Sequence, residues 1–135
     1  MKAHLQREIE KLKRQILELS AEVETEVRKA VRAVEDRNAT LAESVIQREA
    51  QTNALEVDVE EECLKILALY QPVASDLRYI IAVLKINHDL ERIGDLAVHV
   101  AERSLFLCSQ PPIAMPFRLG LMADKVQQML KKVLD

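Results

Sequence analysis

Breaks are scarce in this chain, and that scarcity does most to limit its fold: the first proline is Pro72 and the first glycine is Gly94. Proline lacks an amide hydrogen and clashes with the preceding helical turn, and a mid-helix glycine costs about 1 kcal/mol relative to alanine. Without either, long helices can run unbroken. Leu5, Ile9, Leu12, Ile16, Leu19, Val23, Val27, Ala30 and Val34 recur at spacings of mostly three and four, which gathers them into one apolar stripe with charged residues between. Residues 38–40 supply a break and an N-cap, so a second helix follows with Leu41, Val45, Thr52, Leu55, Val59, Cys63, Ile66 and Tyr70. It stops near Gln71, before Pro72.

A third helix is expected from about Ser75 or Asp76 to Cys108, with Val83, Ile86, Leu90, Ile93, Ala97, Val100 and Leu107 as its main stripe. Pro111, Pro112 and Pro116 make a short stiff linker over 110–116, and a fourth amphipathic stretch over 117–135 carries Leu119, Met122, Val126, Met129, Leu130 and Val133. The fold class is all-α: an antiparallel three-helix bundle over 1–109 plus a C-terminal amphipathic helix. Each long helix would reach roughly 45 Å at 1.5 Å per residue. The fourth helix must fold back on the bundle, pack against another copy, or belong to a longer protein.

Composition agrees. Only 3% of residues are aromatic and 49% are hydrophobic, which disfavours β architecture. A net charge of −3, with no basic cluster, argues against nucleic-acid binding. Cys63 and Cys108 fall inside helical patterns and read as small apolar fillers. With no apolar leader and no long apolar run, a soluble cytoplasmic protein is expected.

Chemistry concentrates in 72–95. Glu91 and Asp95 stand four apart, on one helix face, with Cβ atoms roughly 5–6 Å from each other. Like charges so placed cost an isolated helix roughly 0.2–0.5 kcal/mol, and Gly94 lies between them. Two unfavourable choices at one spot point to a local reason, a ligand or a close packing approach. If the second and third helices form a hairpin at Pro72, residues whose numbers add to about 144 face each other. Glu49 then meets Asp95, Asn53 meets Glu91 and Glu56 meets His88. Oxygen donors from two facing helices suit Mg, Ca, Mn and iron, and a nearby imidazole admits zinc. The bland reading is a solvated stripe neutralised by Lys85, Arg48 and Arg92.

Other chemistries fit poorly. Di-iron carboxylate bundles carry Glu-x-x-His pairs, but Lys85 and Leu96 stand three before His88 and His99. The run His88-Asp89-Leu90 begins like a histidine-kinase phosphoacceptor, yet Glu91 replaces the base and Ile93 the proline. Serines sit in no nucleophile motif, so no enzyme is expected.

The string PVASDLRYIIAVLKINHDLERIGDLAVHVAE closely resembles the signature of the PhoU family of phosphate-signalling regulators, and the preceding VIQREAQTNALEVDVEEECLKILALYQ matches its pattern too. The likeness covers at least residues 5–108. Full-length members resemble two tandem three-helix bundles whose E/D-x-x-x-D motifs hold iron or zinc. The resemblance implies metal ligands at Glu49, Asn53, Glu91 and Asp95, with Glu56 and His88 as weaker candidates. Asn53 departs from the family pattern, because a carboxylate there would strengthen the site. Pro72, Asp76, Arg78, Arg92 and Gly94 belong to the motif as structural positions, with Arg78 tying Asp76 or a helix end. The resemblance implies a negative regulator of phosphate uptake and starvation signalling that bridges the phosphate-specific ABC transporter and its membrane sensor kinase. Residues 113–135 look like the opening helix of a second bundle. That leaves a truncated protein, a single-repeat member, or a homodimer that recreates the two-bundle unit by exchanging the fourth helix. The alternative is a helical dimerisation or adaptor protein with no metal or phosphate role.

Overall fold

The computed structural model describes residues 2–112 and 119–134, so residues 113–116 of the expected linker, Pro116 among them, and residues 117, 118 and 135 of the expected fourth helix lie outside the described residues, as does residue 1. Four helices follow in order: α1 Lys2–Glu35, α2 Ala39–Tyr70, α3 Ala74–Cys108 and α4 Leu119–Leu134. The first three pack pairwise into an antiparallel bundle, and α4 lies against α1.

The helix ends follow local chemistry. The Asn38 side chain accepts a hydrogen bond from the Leu41 amide at 3.0 Å, capping α2 where the sequence suggested. Gln71 closes α2 in the left-handed region at φ 44°, and Pro72 is buried in the three-residue turn that follows. Helix α3 begins slightly earlier than expected: Val73 is its extended N-cap, without a side-chain cap bond, and Asp76 lies in the first turn, where a carboxylate suits the helix dipole.

The interior has two apolar clusters. One holds large aliphatics, with Leu12, Leu19, Ile66, Ile80 and Leu90 fully buried and Cys63 among them. The other is built from small residues, Ala30, Ala33, Ala42, Ala97 and Ala101, which let the helices approach closely. The Cys63 thiol is pushed up to about 11 by burial, as fits an apolar filler. On α3 the buried face is rotated from the expected one. Ile80, Asn87, Gly94, Val98, Ala101 and Ser104 join Val83, Leu90 and Ala97 inside, while Ile86, Ile93 and Val100 sit at the edge. That helix carries two adjacent apolar strips, and periodicity alone could not choose between them.

Candidate functional site

Between the two apolar clusters lies a polar layer. Glu26 of α1, Thr52 and Glu56 of α2, and Asn87 and Gly94 of α3 are all buried, at the level where one cluster ends and the other begins. Asn87 donates through Nδ2 to the Glu56 carbonyl at 3.1 Å, which sets the α2–α3 hairpin within one residue of the register read from the sequence. Thr52 donates through Oγ1 to the Glu26 carboxylate. A Cβ on Gly94 would meet Glu26 Oε2 and Glu56 Oε1 at 3.8 Å, so the glycine is the floor over which carboxylates from two other helices converge. Those are ordinary contact distances, so close helix packing does not account for this glycine.

Electrostatics follow from that layering. Glu56 is 7% exposed and has no side-chain hydrogen bond among the described residues. Burial, then the charges of Glu91, Asp95, Glu26 and Glu49, push its carboxyl up to about 7. Glu26, 2% exposed, is raised chiefly by burial, opposed by the Thr52 hydrogen bond.

The residues singled out from the sequence divide into two groups. Glu49 is half-buried, Glu91 and Asp95 are exposed, and the charges of all three raise the Glu56 carboxyl. Asn53 is exposed, and so is His88, whose Nδ1 stands 4.0 Å from Glu91 Oε2. Exposed Arg78 makes no ion pair with Asp76 among the described residues. The neutralising stripe does not form there either: among the described residues Lys85 and Arg92 pair with no acid, and Arg48 turns to Glu22 of α1 at 2.8 Å. Glu26 went unread in the sequence. Its signal was the Glu22–Glu26 pair, spaced four apart on α1 like the pairs on the other helices.

Two buried carboxylates, Glu26 of α1 and Glu56 of α2, stand over Gly94, and oxygen donors of this kind are the type that hard or borderline cations take. Among the described residues, no three His, Cys, Asp or Glu side chains already stand in a geometry that holds one ion. Glu91 and Asp95 are both exposed.

The PhoU domain family model matches residues 5–104. The phosphate-specific transport system accessory protein PhoU homolog of Aquifex aeolicus is 39% identical over 124 residues, which cover 92% of this chain and 56% of that protein. The phosphate-specific transport system accessory protein PhoU of Escherichia coli K12 is 34% identical over 95% of this chain and 53% of its own length. The crystal structure of PhoU from Pseudomonas aeruginosa matches with a TM-score of 0.91 at 38% identity, covering 96% of this chain and 63% of that one. The chain spans about half the length of the curated relatives it matches.

Proposed function

The chain belongs to the PhoU domain family, and from that premise we propose that it is a cytoplasmic regulator that restrains phosphate transport and phosphate-starvation signalling. Its relatives are named as accessory proteins of the phosphate-specific transport system, which supports a partner in that transporter. A membrane sensor kinase is the second partner in this reading. No described helix is long and apolar enough to cross a membrane, so the chain would meet such partners through its helix faces.

The observation that carries the reading is the polar layer over Gly94, whose members on α2 and α3, Thr52, Glu56, Asn87 and Gly94, fall in the strings that mark the family. In this reading Glu49, Asn53, Glu91 and Asp95 hold iron or zinc, joined by Glu56 and Glu26, and the cation offsets the charge that burial concentrates there. The ion has a structural or regulatory part, with no reaction attached.

The test is complementation in a bacterium deleted for its own regulator of this family, with a phosphate-starvation reporter read in phosphate-rich medium. Restored repression is the expected result. An unrepressed reporter, with the protein soluble and folded in the same cells, would overturn the regulatory reading. The metal is tested separately by elemental analysis of wild type and the Glu91→Ala, Asp95→Ala double variant. Near-stoichiometric iron or zinc that falls at least tenfold in the variant is expected; equal content in both would remove these residues from the site.

A further inference from the structure

Away from the polar layer, the start of α1 and the end of α2 share a second group of charges. Glu62 of α2 is 7% exposed, with Oε2 3.5 Å from Lys11 of α1 and Oε1 3.7 Å from Lys65 on its own helix. Lys65 also stands 3.5 Å from Glu8 Oε2 of α1. Two carboxyls thus converge on one ammonium, and Lys11 closes the group on the other side. Both lysines are about half exposed, so Glu62 is the member whose charge is costly to bury. Its Oε1 is buried and has no hydrogen-bond partner among the described residues. A bare carboxylate oxygen there loses its hydration with nothing in exchange. A proton turns that oxygen into a donor, and the Glu8 carboxylate is an acceptor.

We propose that Glu8 and Glu62 share one proton and so form a pH-sensitive latch that fastens the first turns of α1 to the last turns of α2. Both acids move in the direction that sharing requires. Burial, and then Glu8, raise the Glu62 carboxyl, while the hydrogen bond with Glu62 holds Glu8 below its ordinary value against desolvation. The charges facing Glu62 come from Glu8 and Lys11 of α1 and from Lys65. His4, one turn before Glu8, is exposed. On α3, Tyr79 packs against the aliphatic cluster as a neutral phenol, raised above its ordinary 10 by burial, and α4 meets α1 farther along, at Glu24. The latch holds Leu5 and Ile9 of α1 against that cluster. Its pH dependence has two arms. Glu62 contributes stability below 4.5 that is lost as pH rises through its raised value, and Glu8 contributes stability above 4.5 that is lost as pH falls. The latch is therefore tightest near 4.5, and on the alkaline side two half-exposed lysines are left to hold two carboxylates through screened contacts. None of this depends on the phosphate role or on the carboxylates over Gly94.

The test is a carbon-13 NMR titration of the glutamate carboxyls in the 135-residue chain, from about pH 3 to about pH 9. Glu62 should titrate above the ordinary 4.5 and Glu8 below it, with the Glu8 signal inflecting again where Glu62 loses its proton. Glu8→Gln removes the neighbouring charge and should lower the Glu62 midpoint. Hydrogen exchange reads the latch itself. Protection of the amides at 4–12, taken relative to those of α3, should fall about tenfold between about pH 5 and about pH 8, the factor one pKa unit carries. In Glu62→Gln the side-chain amide donates to Glu8 at every pH, so that protection should stay level. A Glu62 that titrates at or below 4.5, a Glu62 midpoint unmoved by Glu8→Gln, or protection in Glu62→Gln that falls as in wild type would each overturn the proposal. The wild-type titration needs no variant and decides the proton sharing by itself.

Discussion

Glu56 combines two penalties that usually occur apart: its carboxyl is buried, and its nearest charges are acids. The linkage has a definite sign. Its proton is held more tightly in the folded state, about 7, than at the ordinary 4.5 of the unfolded chain. Below pH 4.5 both states are protonated and the residue is harmless; stability is lost as pH rises between those values. Each pKa unit corresponds to about 1.4 kcal/mol, so the loss is on the order of 3 kcal/mol. In chelator-treated protein, Glu56→Gln should therefore unfold at higher urea than wild type at pH 8 and at nearly the same urea at pH 4. Equal midpoints at pH 8 would mean that Glu56 is solvated. The sequence made Glu56 a minor candidate, because facing residues across a hairpin reveals neighbours but not depth.

Among the helices, α2 offers the clearest link from local chemistry to stability. Asn38 satisfies an amide that has no intrahelical partner, and loss of such a cap costs about 1 kcal/mol. Asn38→Ala should lower the melting temperature by several degrees, whereas Asn38→Asp keeps the acceptor and should hold it. Equal losses from both would assign Asn38 a role other than capping. This cap, the stop at Tyr70 and the turn through Pro72 were legible beforehand, since each depends on residues next to one another. The start of α3 was less so. Its cap is Val73, a residue with no side-chain acceptor, and a search for Ser or Asp necessarily lands inside the helix.

The whole bundle is packed differently toward its two ends. The aliphatic cluster fills space with Leu and Ile, while the alanine cluster brings the helices together around small side chains. Ala33, 0% exposed, should reject bulk: Ala33→Leu is expected to cost about 1–3 kcal/mol through overpacking. Leu19→Ala, at the other end, is expected to cost about 2–5 kcal/mol through a cavity. Denaturant titrations of the two variants check both numbers, and a neutral Ala33→Leu would mean that the alanine end is loosely packed. The polar layer sits where these two regimes meet, held by aliphatic packing on one side and close backbone approach on the other.

By itself the sequence determined where the helices run, where they end, and how α2 faces α3, because periodicity, caps and proline act over a few residues and a tight turn carries that register along a hairpin. The tertiary structure alone decided which charges are buried, that Glu26 of α1 completes the acidic layer, which strip of α3 faces inward, and that α4 leaves most of its apolar stripe exposed. Those outcomes depend on how a third and fourth helix rotate about their axes when they pack. That rotation is set by the summed burial of side chains distant in sequence, which no local pattern encodes.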